Sequence, residues 1–191
     1  MDSEERIRLF GLSHPAVERE LDKIEAALKV DLKRSEHDEK EEEYYPQFDQ
    51  ALRQEAADMG RHYELFYCLE KSIRSLIAET LKAQHGENWW KTRVPQPVQD
   101  NARANIQKEI DSGVTLRSEA EIDFTTFGEL GEIVRNNWES FDAIFSSQKA
   151  FTKIMTSLNM LRSPIAHCCP LAEDEIVRLR LTVKDWFRLM E

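Results

Sequence analysis

The amino-acid sequence predicts an all-α protein, a helical bundle with an N-terminal helical extension. The 191 residues include only six glycines and six prolines. The many glycine and proline turns that an all-β protein needs are therefore missing. Apolar residues instead recur at spacings of three and four over several long segments, the pattern of helices that bury one face. A hydrophobic content of 41% is enough for one sizeable core. We therefore expect one compact domain, residues 46–191, and an extension, residues 1–45.

The extension is predicted to contain one amphipathic helix and an acidic run. Residues 15–35 begin with Pro15, a favourable first helical position, and continue with Val17, Leu21, Ile24 and Leu28 on one face. In residues 36–43, six of eight side chains are acidic. Such a run is usually a solvated connector, and the alternative is that it covers a basic groove and competes with the ligand of that groove.

The domain is predicted to begin with a long central helix, from Pro46 to about Gln84. The segment 63–77 is apolar around much of its circumference, which is typical of a helix in the middle of a bundle. Glu70 and Arg74 are four residues apart and can pair on one side of this helix. Either the pair lies on a plain surface or helix contact, or it is buried beside an active region.

The following segments predict further helices separated by clear breaks. Gly86 and the segment 94–97 interrupt the pattern after the first helix. Between them lie Trp89 and Trp90, which either plug the core or stack on bases. Residues 98–112 predict another helix, and the segment 123–138 predicts one that starts at a threonine cap.

Charge and cysteine content exclude several classes of protein. Residues 1–60 carry 17 acidic and nine basic side chains and residues 61–191 carry 19 and 17, so a general basic face for nucleic acid is absent and RNA contact would need a local cluster. The three cysteines, Cys68, Cys168 and Cys169, are an odd number with two adjacent, and we expect reduced thiols and no metal. No apolar stretch is long enough to span a bilayer, so we expect a cytoplasmic protein with no membrane association.

The segment around residue 162 contains the residues best suited to chemistry. A helix with apolar residues from Phe151 to Leu161 is followed by Arg162-Ser163-Pro164. Because proline disfavours a helical residue before it and cannot donate a hydrogen bond, we expect the helix to break at Ser163, which then caps a final helix. Arg162 and His167 would be about 140° apart on a straight helix, so a bend is needed for them to converge. His167 would then lie near the positive end of the final helix, where the dipole favours a neutral imidazole.

The segment 158–168, Leu-Asn-Met-Leu-Arg-Ser-Pro-Ile-Ala-His-Cys, resembles the Arg-x-x-x-x-His motif of HEPN proteins. Residues 63–77, with the Trp-Trp pair and Val94-Pro95, resemble the HEPN domain of the Swt-type RNA-quality-control endoribonucleases. The resemblance covers about residues 46–190. It implies a helical bundle, usually a homodimer in which two motifs form one cleft, and a metal-independent endoribonuclease without a cofactor. Many such enzymes are toxins of toxin–antitoxin pairs or antiviral-defence effectors.

By this resemblance, Arg162 and His167 are the candidate catalytic residues. Arg162 would bind the scissile phosphate with two hydrogen bonds, while His167 accepts the 2′-OH proton or protonates the leaving oxygen. Asn159 and Ser163 are candidates for binding or orienting the substrate, and Ser163 stands where HEPN proteins often have Asn, Asp or His. The expected partners are RNA, a second copy of the chain and an antitoxin or regulatory protein. The alternatives are a catalytically silent HEPN dimer that binds RNA, nucleotide or protein, and an antitoxin or adaptor.

Overall fold

The structure, a computed structural model, describes residues 47–191. The chain divides into two units, Met1–Asp49 and Gln50–Glu191, and the description below concerns the second. The helix predicted over residues 15–35 and the acidic run at 36–43 lie outside the described residues.

Six α-helices form the described part of the chain, which contains no β-strand. They are α1 Gln50–His85, α2 Trp89–Arg93, α3 Gln96–Asp111, α4 Phe127–Asn136, α5 Gln148–Ala166 and α6 Glu173–Arg188. Two short 3₁₀ turns, Glu121–Phe124 and Trp138–Ser140, flank α4. The all-α prediction is confirmed. Across residues 47–191, each helix is too short or too polar to cross a bilayer.

Helix α5 is central in the core, where it packs against α1, α4 and α6. Its Phe151 and Leu158 are fully buried, as are Ile77 and Leu81 of α1. An aromatic cluster closes one end of the core, with the Phe145 ring 5.0 Å from that of Phe151 and 5.3 Å from that of Trp186. Burial of such side chains contributes about 1.5–3 kcal/mol each relative to exposure. This packing fixes where the last turn of α5 lies relative to α1.

Several predicted helix boundaries are confirmed by their local geometry. Gly86 follows α1 with a φ of 75°, a conformation that glycine adopts without a steric penalty. Thr126 caps α4, and its side chain and that of Glu129 each bond the other's backbone N–H, which is a capping box. The tryptophans plug the core: Trp90 is buried, and Trp89 packs partly buried beside it with its ring 5.6 Å away.

The prediction that the helix breaks at Ser163 is wrong. Helix α5 continues through Pro164 to Ala166, and α6 begins at Glu173 after Ala172, so Ser163 caps no helix. A proline in a helix removes one hydrogen bond and crowds the carbonyl four residues earlier, and here only Ile165 and Ala166 follow Pro164 in the helix. The buried side chains of Leu158 and Leu161 hold the preceding turn against the core.

Helix α5 ends at Ala166 with His167 as its C-cap, and the turn that follows contains Cys168 and Cys169. The N–H of Cys169 donates to the carbonyl of Pro164 at 2.9 Å, and the N–H of Cys168 donates to that of Ile165 at 3.4 Å. This pair of bonds is a Schellman motif, whose central residue is usually glycine. Here it is Cys168, with a φ of 55°, a left-handed conformation that costs a non-glycine residue about 1–2 kcal/mol. All three cysteines are free and exposed.

Candidate active site

Arg162 points from the last turn of α5 toward the middle of α1. Its Nε donates a hydrogen bond of 3.0 Å to Oε2 of Glu70, and 39% of its side-chain surface is exposed. The two residues are 92 positions apart in the chain, so this contact depends on the packing of α5 against α1. Arg162 is therefore tethered at one nitrogen, and part of its side chain is exposed to solvent.

Glu70 joins Arg162 to a second, buried arginine. Its other oxygen, Oε1, accepts a hydrogen bond of 2.5 Å from Arg74, and Arg74 is only 8% exposed. Arg74 also donates to the Thr125 hydroxyl at 2.8 Å, to the Thr125 carbonyl at 2.9 Å and to the Ile122 carbonyl. Because a buried charge is stable only when it is paired and hydrogen-bonded, this network fixes the orientation of Glu70. The sequence left the burial of this pair open, and the structure shows that Arg74 is buried.

The charge of this cluster is unbalanced. One carboxylate, Glu70, serves two guanidinium groups, Arg74 and Arg162, which leaves one positive charge in excess. Within residues 47–191, the side-chain hydrogen bond of Arg162 runs through Nε to Glu70, and its terminal nitrogens donate none. The two terminal nitrogens of a guanidinium form a planar fork that fits carboxylate and phosphate oxygens. The cluster therefore suits an anionic ligand.

These side chains line an open cleft of about 490 Å³ between α1, the first 3₁₀ turn and the end of α5. Its charged residues are Lys71, Arg74, Arg117, Arg162, Glu70 and Asp123. Four of the six are basic, although residues 61–191 as a whole are nearly neutral. The cleft is thus a local cluster in which basic side chains outnumber acidic ones.

Two of the cleft's basic groups are held at its edge by acids. Lys71 Nζ lies 3.6 Å from Asp123 Oδ1, and Arg117 pairs with Glu109 and lies over the Phe124 ring, 5.2 Å from its centre. The hydrogen bond from the Arg117 side chain holds the pKa of Glu109 below its usual value. These pairs orient the two cations along the rim, and a polyanion can replace part of their pairing.

His167 lies at the C-terminal end of α5, beyond the part of the cleft that Arg162 lines. The lining ends with Ile165 and Ala166, and His167 follows as an exposed residue of the closing turn. No hydrogen bond of its imidazole is found within residues 47–191. The bend predicted at Ser163 is missing, and the lining of the cleft includes Arg162 but not His167. The dipole argument for a neutral imidazole is also wrong, because His167 lies at the negative end of α5 and not at the start of α6.

The two predicted orienting residues lie outside the described lining of the cleft. Asn159 is exposed on α5, and its Nδ2 approaches Gly128 of α4, 3.9 Å from where a Cβ would stand there. Ser163 is exposed, and its carbonyl accepts the backbone N–H of His167 at 3.1 Å. A role for either residue in binding substrate stays a prediction.

Sequence reasoning missed most of the residues that surround Arg162. The i, i+4 spacing of Glu70 and Arg74 signalled that they pair, and burial beside an active region was one of two alternatives, but the sequence did not place them against Arg162. Thr125 and the Ile122 carbonyl accept hydrogen bonds from Arg74 because a 3₁₀ turn brings them there. Such a turn has no characteristic spacing of residues in the sequence. Tyr63 and Tyr67, which also line the cleft, were visible only as members of an apolar helical segment.

Comparison with known proteins identifies one family. Residues 64–191 match the family model of the Swt1-like HEPN domain, a range that includes α1 from Glu64 onward and every later helix. HEPN domains are generally associated with ribonuclease activity. Neither the curated proteins nor the solved structures include a match to this chain.

Proposed function

The chain belongs to the Swt1-like HEPN family, and on that basis we propose that it is a metal-independent endoribonuclease with its active site in the cleft of Arg162. The observation that supports this proposal best is the guanidinium of Arg162, which Glu70 holds through Nε in a cleft with more basic than acidic side chains. An RNA phosphate is an anion of the right geometry for such a fork.

The proposed reaction uses the nucleophile that RNA itself carries. The 2′ oxygen loses its proton and attacks the adjacent phosphorus, and the bond from phosphorus to the 5′ oxygen breaks. The products are a 2′,3′-cyclic phosphate and a 5′-OH end, with one proton removed and one delivered. Arg162 binds the nonbridging oxygens and stabilises the charge that develops on them, as preorganised donors do in other enzymes.

His167 is proposed to carry the proton steps. An imidazole can accept or donate a proton in general acid–base catalysis. Because His167 of one chain lies past the end of the cleft, we propose that a second copy supplies His167 to the cleft of the first. A homodimer would then contain the composite site that the family resemblance implies.

The biological role that we propose is that of a toxin or an antiviral-defence effector, restrained in the cell by an antitoxin or another regulatory protein. Growth arrest on expression tests this role. We expect His167→Ala and Arg162→Ala to abolish the arrest, and the arrest would persist in both variants if it had another cause.

A second candidate is a catalytically silent module that binds RNA, nucleotide or protein through the same cleft. It is favoured by the placement of His167, which is exposed and separate from the cleft lining of its own chain. Binding without cleavage would need only the cations of the cleft.

The two candidates are separated by incubating the purified full chain with RNA in the presence of a chelator and analysing the ends of any fragments. The ribonuclease proposal expects fragments with a cyclic phosphate and a 5′-OH. Arg162→Ala should lose this cleavage. Its matched control is Arg180→Ala, which removes an exposed arginine of α6 outside the described cleft lining. Binding of intact RNA with no fragments would support the silent module, and fragments with 5′-phosphate ends would contradict the proposed mechanism.

A further inference from the structure

Two exposed tyrosines lie beside the arginine cluster. Tyr63 and Tyr67 are one turn apart on α1, with 61% and 55% of their surfaces exposed. Their ring centres are 6.1 Å apart and the ring planes are tilted by 36°. An aromatic ring exposed to water does not gain the free energy of burial, and contiguous exposed apolar surface can mark a place where a ligand binds.

The tyrosines belong to the same face of α1 as the charged residues. Tyr63, Tyr67 and Lys71 follow one another at intervals of four, and both rings line the cleft together with Glu70 and Arg162. At a rise of about 1.5 Å per residue, Tyr67 and Tyr63 precede Glu70 by roughly 4.5 and 10 Å along the helix axis. Flat apolar surfaces therefore adjoin the anion-binding fork at a distance comparable to the size of a nucleotide.

A flat ring next to a phosphate-binding arginine is the arrangement that proteins use for unpaired nucleic acid. Bases of single strands stack on tyrosine rings while cations contact the backbone. A base within a duplex is already stacked and paired, so its face is not available. Lys71 and Arg117, at the cleft's rim, extend the positive surface along which a strand can continue.

We propose that Tyr63 and Tyr67 form a nucleobase-stacking subsite, which binds an unpaired base of RNA beside the phosphate that Arg162 contacts. This inference rests on the proposed binding of RNA in the cleft. It assigns to the tyrosines the selection of unpaired over paired RNA, while Arg162 and His167 act on the phosphodiester.

Fluorescence of 2-aminopurine tests the subsite directly. The probe is a short 2′-O-methyl RNA with one 2-aminopurine, which lacks a free 2′-OH and cannot be cut by the proposed reaction. We expect its fluorescence to be quenched on binding to the full chain, because the base stacks on a tyrosine. In the double variant Tyr63→Ala, Tyr67→Ala we expect the quenching to disappear and the dissociation constant to rise at least about fivefold, the effect of losing one stacked base.

Two controls show whether stacking is responsible. The double variant Tyr63→Phe, Tyr67→Phe keeps both rings and is expected to bind as the wild type does. Phe187→Ala removes an equally exposed ring, 57% exposed on α6, and should change nothing. An abasic nucleotide in place of 2-aminopurine should weaken binding to the wild type but not to the alanine variant. Unchanged quenching in the alanine variant, or an equal loss for the abasic probe in both proteins, would overturn the subsite.

Cleavage of unmodified RNA, measured in parallel for the wild type and Arg162→Ala, separates this inference from the proposed function. Arg162-dependent cleavage together with binding that ignores the tyrosines would leave the ribonuclease and remove the subsite. Tyrosine-dependent quenching without any cleavage would keep the subsite and remove the ribonuclease.

Discussion

The last turn of α5 and the turn that follows it differ sharply in how they are held. Arg162 is tied to Glu70, and Glu70 is fixed in turn by the buried Arg74. His167, five residues later, is exposed in a turn whose next residue, Cys168, adopts a left-handed conformation. One half of the Arg-x-x-x-x-His motif is thus preorganised within the chain, and the other half is left at the surface.

This difference teaches that the two halves of the motif depend on different partners. A residue that binds a phosphate benefits from a rigid orientation before the substrate arrives, because no free energy is then spent on ordering it. A residue that reaches into the cleft of a second copy has to stand at the surface of its own chain. The predictions below test this division, starting from the largest expected effect.

Removal of the imidazole should have the largest effect on cleavage. We expect His167→Ala to slow RNA cleavage by about 100- to 10,000-fold, the usual contribution of general acid–base catalysis. The folded state should not be affected, because the side chain is exposed. Single-turnover cleavage rates and a thermal melt measure the two properties.

Mixing of variants tests whether His167 acts across a dimer. Combining inactive His167→Ala with inactive Arg162→Ala should restore part of the activity, because a mixed dimer contains one complete composite site. Mixtures as inactive as their components would show that both residues act within one chain.

Loss of the Arg162 guanidinium should also slow RNA cleavage, but by a smaller factor than loss of the His167 imidazole. We expect Arg162→Ala to lower the cleavage rate by about 100- to 1,000-fold, as for removal of a preorganised donor to a developing negative charge. Arg162→Lys keeps the charge but not the planar fork, so it should recover only part of this loss. Arg180→Ala is the control and should cleave at the wild-type rate. Full activity of the lysine variant would show that charge alone matters.

Loss of the Glu70 carboxylate, which holds Arg162, should lower the stability of the protein as well as the cleavage rate. Glu70→Gln removes the carboxylate that the buried Arg74 contacts, and breaking such a pair costs about 3 kcal/mol. We expect a lower urea midpoint together with slower cleavage, because Arg162 loses its tether. Glu64→Gln, an exposed acid on the same helix, should change neither. A variant as stable as the wild type would show that Arg74 does not need this partner.

A glycine at Cys168, in the turn after His167, should stabilise the protein, whereas Glu70→Gln should destabilise it. Cys168→Gly relieves the left-handed strain at the cost of a more flexible unfolded chain, with an expected net stabilisation of about 0.5–1 kcal/mol. Cys169→Gly should not relieve any strain. Among the non-glycine residues of 47–191, the one with a positive φ is Cys168. Chemical denaturation of both variants measures the difference, and an equal response would contradict strain at Cys168.

Prediction from sequence succeeded where local patterns decide the structure. The spacing of apolar residues gave the long first helix and α3, and Thr126 and Gly86 marked boundaries that the structure confirms. It failed at Ser163-Pro164 because a proline rule describes local preference, while burial of Leu158 and Leu161 together with the capping turn at Cys168 decides where α5 ends.

The candidate site was likewise predictable only in part. Arg162 and His167 were identified as a sequence motif, and the pairing of Glu70 with Arg74 followed from helical spacing. Their assembly with Arg162, Thr125 and the two tyrosines could not be predicted, because these contacts join segments dozens of residues apart that only the packed core brings together.

Chemical rescue tests most directly whether the guanidinium of Arg162 acts on the phosphate from its place beside Glu70. Free guanidinium ion, at concentrations too low to unfold the protein, should restore a measurable part of the cleavage lost in Arg162→Ala, because it can occupy the space beside Glu70. It should not restore His167→Ala, which lacks an imidazole. Cleavage by Arg162→Ala at the wild-type rate without any added ion would contradict the account.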